Sequence, residues 1–157
     1  MSKPTNEKNA EKLYYTILTK QIYPLVGQKS TYMTDLDKAG RKLLGVKFRG
    51  VYASDRIPVL NDLKPYCILN LDKSTGSGSH WIAVAKYPNK NEILVYDSFA
   101  RTAKKIIPSL LSSGNGKIIN SDLSDSEQNI IETDCGARSL AYLVVADKYG
   151  LNTAKLI

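Results

Sequence analysis

From Gly136 the chain turns apolar, and the segment ARSLAYLVVADKYG sets Ala137, Leu140, Ala141, Val144 and Val145 at helical spacing. A helix of this kind is stable only where other elements cover it, so the fold must be built around it, up to a stop near Gly150. The cover is legible upstream. Residues 47–52 (KFRGVY), 65–71 (PYCILNL), 80–87 (HWIAVAKY) and 92–97 (EILVYD) are short, rich in β-branched and aromatic residues, and separated by turn formers, which predicts strands. Pro88-Asn89-Lys90-Asn91 reads as the turn of a hairpin joining the last two, and Lys117 to Asn120 as a further short strand.

Helices are expected on either side of these strands. Leu13, Ile17, Leu18 and Ile22 give residues 5–23 an amphipathic pattern that ends near Pro24 and Gly27. A second helix is expected from Thr34, where Thr34 and Asp37 form a weak capping box, to Gly45. Residues 101–111 look helical, with Pro108 kinking or shortening them, and 112–116 are a loop by composition. The expected architecture is α+β, a mixed β-sheet packed by helices. A helical arm, 1–33, precedes a single globular unit, 34–157.

At 157 residues the chain fits one domain. No apolar run approaches the roughly 18 residues that cross a bilayer, and the polar start MSKPTNEKNAEK lacks the apolar stretch of a secretory signal. A soluble protein that is not secreted and makes no membrane contact is the expectation, with Cys67 and Cys135 as reduced thiols. The net charge of +7 draws polyanions, which makes non-specific DNA a possible partner. Sequence-specific readout is not expected, because no basic run carries interleaved aromatics and most of the ten tyrosines fall in apolar patterns.

The residues that carry chemistry are few. His80, the sole histidine, lies in SGSHWIAV at the mouth of a predicted strand, where a reactive group is exposed. Cys135 lies in TDCG, where a polar loop becomes the N-terminus of the apolar helix. A helix N-terminus and a nearby imidazolium both favour thiolate over thiol, the form that acts as nucleophile. Its neighbours Asp134 and Gly136 are not those of a buried hydrophobe, whereas Cys67, inside PYCILNL, fits that role. Asp97 ends the strand that pairs with the one starting at His80, within reach of the imidazole as its orienting carboxylate. Gln128, in the loop before Cys135, could donate its amide N–H to an oxyanion together with the Cys135 backbone N–H.

The order His, Asp, Gln, Cys with its flanks is a specific pattern. GSHWIAVAKY, then ILVYDSFAR, then Gln128 ahead of DCGARSLAYL closely resembles the adenovirus maturation protease family, which groups with the SUMO-deconjugating proteases. TDLDKAGRKLLGVKFRGVYASDRIP and CILNLDKSTGSGSHW extend the resemblance to residues 34–145, and Asp-Ser-Phe looks most like the enzymes of virophages and Polinton-type transposons. The resemblance implies a papain-like, adenain-like fold with the catalytic cysteine opening a buried central helix. It implies His80 as general base, Asp97 as its orienter, Cys135 as nucleophile and Gln128 as oxyanion donor, with Trp81, Gly136 and Asp134 supporting the site.

Three positions depart from the family's pattern. Asp97 replaces the adenoviral glutamate and is closer to the SUMO-protease pattern, a change that preserves the chemistry. Arg138 stands where an apolar or aromatic residue is usual, and Lys117 where the adenoviral enzyme bonds an activating peptide, so covalent peptide activation does not carry over. The arm 1–33 is expected to supply that help in cis. The function so implied is a viral maturation endopeptidase acting next to glycine on capsid precursors, as a monomer in virions and viral factories. No cofactor or metal is required for the chemistry, while activation by DNA or a peptide stays open. The alternatives are a protease of ubiquitin-like conjugates, an acyltransferase on the same residues, and a basic nucleic-acid-binding virion protein.

Overall fold

The computed structural model describes residues 7–76, 79–123, 126–128 and 133–157. Its centre is a five-stranded sheet in the order β1 (Phe48–Tyr52), β2 (Tyr66–Asn70), β3 (Trp81–Lys86), β4 (Glu92–Tyr96), β5 (Lys117–Asn120). The outer pairs β1/β2 and β4/β5 run parallel and the two inner pairs antiparallel, so the sheet is mixed. All the expected strands form. The β3–β4 hairpin turns where expected, with Asn89 in the left-handed region (φ 59°) that asparagine tolerates.

Strand alternation divides the core into two layers. Tyr66, Ile68, Ala83, Ala85, Leu94 and Tyr96 face α5 (Cys135–Tyr149), the apolar helix foreseen above, whose residues Cys135 to Ala146 are all buried. Cys67, Leu69, Ile82, Val84, Ile93 and Val95 face the opposite layer, with Leu60, Ala103, Ile107 and Leu110. Gly150 (φ 92°) stops α5, and a short α6 (Leu151–Ala154), which the sequence did not suggest, follows it.

The N-terminal helical stretch is part of this core. Helix α1 (Glu7–Ile17) continues through a π-helical turn, Leu18–Ile22, into α2 (Tyr23–Val26), and buries Ala10, Tyr14, Ile17, Leu18 and Ile22 in the cluster around α5. Pro24 does not end it: the widened π turn precedes the proline, and Gly27 (φ 80°) makes the stop. Helix α3 (Met33–Leu44) starts one residue early, capped at Tyr32 without a side-chain hydrogen bond, so the Thr34–Asp37 capping box does not form. Asp37 pairs instead with Arg41 at 2.9 Å. The expected helix at 101–111 is cut in two, α4 (Ala103–Ile106) and a 3₁₀ turn (Pro108–Ser112). Ile107 is the break (φ −143°, ψ 68°), because the residue before a proline is pushed out of the α region. Residues 5 and 6 of the first predicted helix, and Asp125 and Glu132 of the polar segment before Cys135, lie outside the described residues. Among the described residues no helix is long and apolar enough to cross a membrane.

Candidate active site

The fold brings the end of β2, the start of β3, the end of β4 and the first turn of α5 to one edge of the sheet. Cys135 is the first residue of α5, and His80 immediately precedes β3. The Trp81 backbone N–H points at Cys135 Sγ over 3.4 Å, and the Ser139 hydroxyl donates to the Cys135 carbonyl at 2.9 Å while lying 3.3 Å from that of Trp81. Helix and strand are thus fastened at the thiol-bearing Cys135 and at Trp81, the residue next to His80. Gly136 allows the approach: a Cβ there would lie 3.2 Å from Trp81 Cδ1 and 3.4 Å from Leu36 Cδ1. The indole Nε1–H in turn donates to the Thr31 carbonyl at 3.3 Å.

His80 is 7% exposed, and its Nε2 lies 2.5 Å from Asp97 Oδ1. The side chain of Cys135 acts on the same ring by hydrogen bonding and charge. Burial alone would push the imidazole pKa down, but the hydrogen bonds of Asp97 and Cys135 and the charges behind them outweigh it and raise it to about 9. Asp97 is the mirror case. Burial works against its charge, yet His80 and Arg101 hold it down at about 2. At neutral pH the pair is therefore imidazolium and carboxylate.

Asp97 is held from several sides. Arg101 Nε donates to Oδ2 at 2.7 Å, the Arg101 backbone N–H to Oδ2 at 3.1 Å, and the Phe99 backbone N–H to Oδ1 at 3.3 Å. The Phe99 ring stacks on His80 (centroids 5.0 Å apart, planes 28° apart), and the Arg101 guanidinium sits 5.1 Å from the Phe99 ring centre. Sequence reading missed Phe99 and Arg101. The available signal was their place in DSFAR, directly after a strand-end acid.

Gln128 is 4% exposed and tied to the residue after Asp97. Its backbone N–H donates to the Ser98 carbonyl at 3.1 Å, and the Ser98 hydroxyl donates to Gln128 Oε1 at 2.5 Å. With the amide oxygen taken, its NH2 is the polar end that can serve as donor. His80, Trp81, Gln128 and Cys135 line one cleft of about 620 Å³. The Asp134 carboxylate, by contrast, accepts from Tyr23 Oη at 2.5 Å and from Arg138 Nε at 3.0 Å, partners on α2 and in the first turn of α5.

The second thiol, Cys67, is 1% exposed in β2 and is pushed up to about 12 by burial, so it stays protonated. Both cysteines are free. Among the described residues no cluster of His, Cys, Asp and Glu side chains could hold a metal ion. The sequence matches no protein-family model and no curated protein.

Proposed function

We propose that this chain is a cysteine endopeptidase of the adenovirus-maturation type, with a papain-like layout in which the nucleophile opens a buried helix and the base comes from the adjoining sheet. One observation carries the reading: the single imidazole, held by a buried carboxylate, lines one cleft with Cys135, whose sulfur accepts the backbone N–H of the next residue, Trp81. The flanking residues GSHWIAVAKY, ILVYDSFAR and DCGARSLAYL support it as a resemblance.

In this mechanism the Cys135 thiolate attacks the scissile carbonyl carbon, and the π pair moves onto oxygen. The Gln128 amide N–H and the Cys135 backbone N–H stabilise the oxyanion. The His80 imidazolium gives its proton to the leaving nitrogen as the C–N bond breaks, leaving a thioester on Cys135. Neutral His80 then takes a proton from water, whose oxygen attacks the thioester carbonyl. Collapse expels the thiolate and releases the carboxylic acid. Asp97 holds the ring in one tautomer and stabilises its charge.

The substrates proposed are viral capsid precursors cut next to glycine, in virions and viral factories. Incubating purified protein with the co-encoded capsid precursor, and mapping new termini by mass spectrometry, tests the proposal. Wild type is expected to generate defined termini, while Cys135→Ala generates none and keeps its circular dichroism spectrum. Cleavage by Cys135→Ala would remove Cys135 as nucleophile, and cleavage of a ubiquitin-like conjugate but not the precursor would replace the substrate class.

A further inference from the structure

Asn70 closes β2 at the same edge of the sheet, paired in register with Trp81 at the start of β3. Alternation sets its side chain on the face of Tyr66 and Ile68, the face that packs α5, so it flanks the cleft one strand away from the residue bound to the Cys135 sulfur. It lines that cleft with His80, Gln128 and Cys135.

The residue is 3% exposed, and its two polar ends differ sharply. Oδ1 accepts from the backbone N–H groups of Asp72 at 2.8 Å and Ser79 at 3.3 Å. These bonds identify the oxygen and so the nitrogen. Nδ2, buried from solvent, has no hydrogen-bond partner. A buried amide donor left unpaired destabilises the folded chain, so such groups are rare and call for a partner that is absent from the resting molecule. Asn70 lines the cleft, so the partner nearest to hand is a ligand group there, which the covered Nδ2 would meet once binding shifts the cleft wall.

We infer that Asn70 Nδ2 is a substrate-binding group, donating to a main-chain carbonyl of an extended peptide lying across Trp81 from the Gln128 side. A neutral amide donor suits a neutral acceptor. The charged neighbours in the cleft wall, Asp72 and Lys73, offset each other and give no net attraction for a carboxylate. The inference rests on the peptidase reading, to which it adds a specific contact: one carbonyl of the substrate is read at a fixed distance from the bond that breaks.

The test uses irreversible labelling of Cys135 in the intact chain. Iodoacetamide has no peptide to place and reports the thiol alone. A set of tetrapeptide vinyl sulfones, in which each main-chain carbonyl is reduced in turn to methylene, reports the subsite. Asn70→Asp is the chosen variant, because its oxygen still accepts from Asp72 and Ser79 while the donor is removed. With wild type, one member of the set should label about 10-fold more slowly than the parent, the effect of one hydrogen bond. With Asn70→Asp that same reduction should make no difference, and the parent itself should label about 10-fold more slowly than with wild type. Full sensitivity to the carbonyl in Asn70→Asp, or none in wild type, with iodoacetamide still labelling Cys135, would overturn the subsite and leave the peptidase reading standing. Failure of every reagent to label Cys135 in wild type would overturn both.

Discussion

Arg101 grips the Asp97 carboxylate on the oxygen turned away from the imidazole, with Nε 2.7 Å from Oδ2 while His80 holds Oδ1. The buried acid therefore has a cation on each oxygen. Through Phe99, which the guanidinium covers on one side and which stacks on the imidazole, the same arginine also steadies the ring.

Replacing Arg101 by Gln should move the acid limit of stability. Asp97 sits at about 2 against an ordinary 3.8, because hydrogen bonds and charge from His80 and Arg101 overcome the effect of burial. A carboxylate with a lowered pKa contributes stability that is complete above 3.8 and is lost as pH falls through 2. Without Arg101 the folded value rises, so the contribution shrinks and the acid-unfolding midpoint shifts upward. Circular dichroism against pH measures this shift, and Arg101→Lys should reverse part of it. The proposed peptidase activity should fall roughly 10-fold in Arg101→Gln through looser orientation of the imidazole.

Because His80 is the sole histidine, its titration can be followed as a single imidazole signal by NMR. The expected value is about 9 in wild type. Cys135→Ala removes one partner and should lower it. Asp97→Asn removes another and leaves burial to act more freely, so the drop should be larger. The raised value also has a consequence for stability: the contribution of His80 is complete below 6.5 and disappears as pH rises through 9. Denaturation midpoints should therefore decline across that interval in wild type and stay flatter in Asp97→Asn. A wild-type value at or below 6.5 would contradict the arrangement.

The strands were legible because each carries its own local signal, apolar and β-branched runs cut by turn formers, and the hairpin turn lies between two of them. His80 and Cys135 were legible because of what they are and where the apolar pattern begins. Arg101 was not, since an arginine after a strand end is ordinarily solvated and only the burial of Asp97, 5% exposed, gives it a task. Asn70 is likewise unremarkable in PYCILNL until the fold covers its amide nitrogen. The first helix shows the same limit. Its amphipathic spacing predicts an apolar face but not the α5 cluster that covers it, and Pro24 reads as a stop because a π turn leaves no local signature.

Asp134 and Arg138 form a buried pair, Nε 3.0 Å from Oδ1, with side chains only 5% and 6% exposed. Arg138 stands where the proteases that the sequence resembles usually have an apolar or aromatic residue, and the pair gives its charge a partner. Removing one partner of a buried ion pair strands a charge at a cost of about 3–5 kcal/mol, whereas replacing both by apolar residues is often neutral. Arg138→Met should therefore destabilise by that amount in urea unfolding, and the triple variant Tyr23→Phe/Asp134→Leu/Arg138→Met, which leaves no polar partner stranded in this trio, should recover most of the loss. Tyr23→Phe, which removes the hydroxyl bound to Asp134 Oδ2, should cost about 1–3 kcal/mol.

Deleting residues 1–30 decides whether the N-terminal stretch is an added arm or part of the domain. Tyr14, Ile17, Leu18 and Ile22 are each 4% exposed or less, and the Tyr14 hydroxyl bonds that of Tyr96 at 2.7 Å beneath the sheet. Burial of such side chains is worth about 1.5–3 kcal/mol each. Together that is roughly 6–12 kcal/mol, comparable with the whole stability of a small domain, about 5–15 kcal/mol. The truncated protein should thus lose cooperative unfolding and expose the face of α5 around Tyr142, measurable as dye binding and a broad thermal transition. Full activity in a folded truncation would refute this and make the stretch dispensable. A well-folded but inactive truncation would instead make it an activator separable from the core, acting through contacts such as that of the Tyr15 hydroxyl with the Glu127 carbonyl next to Gln128.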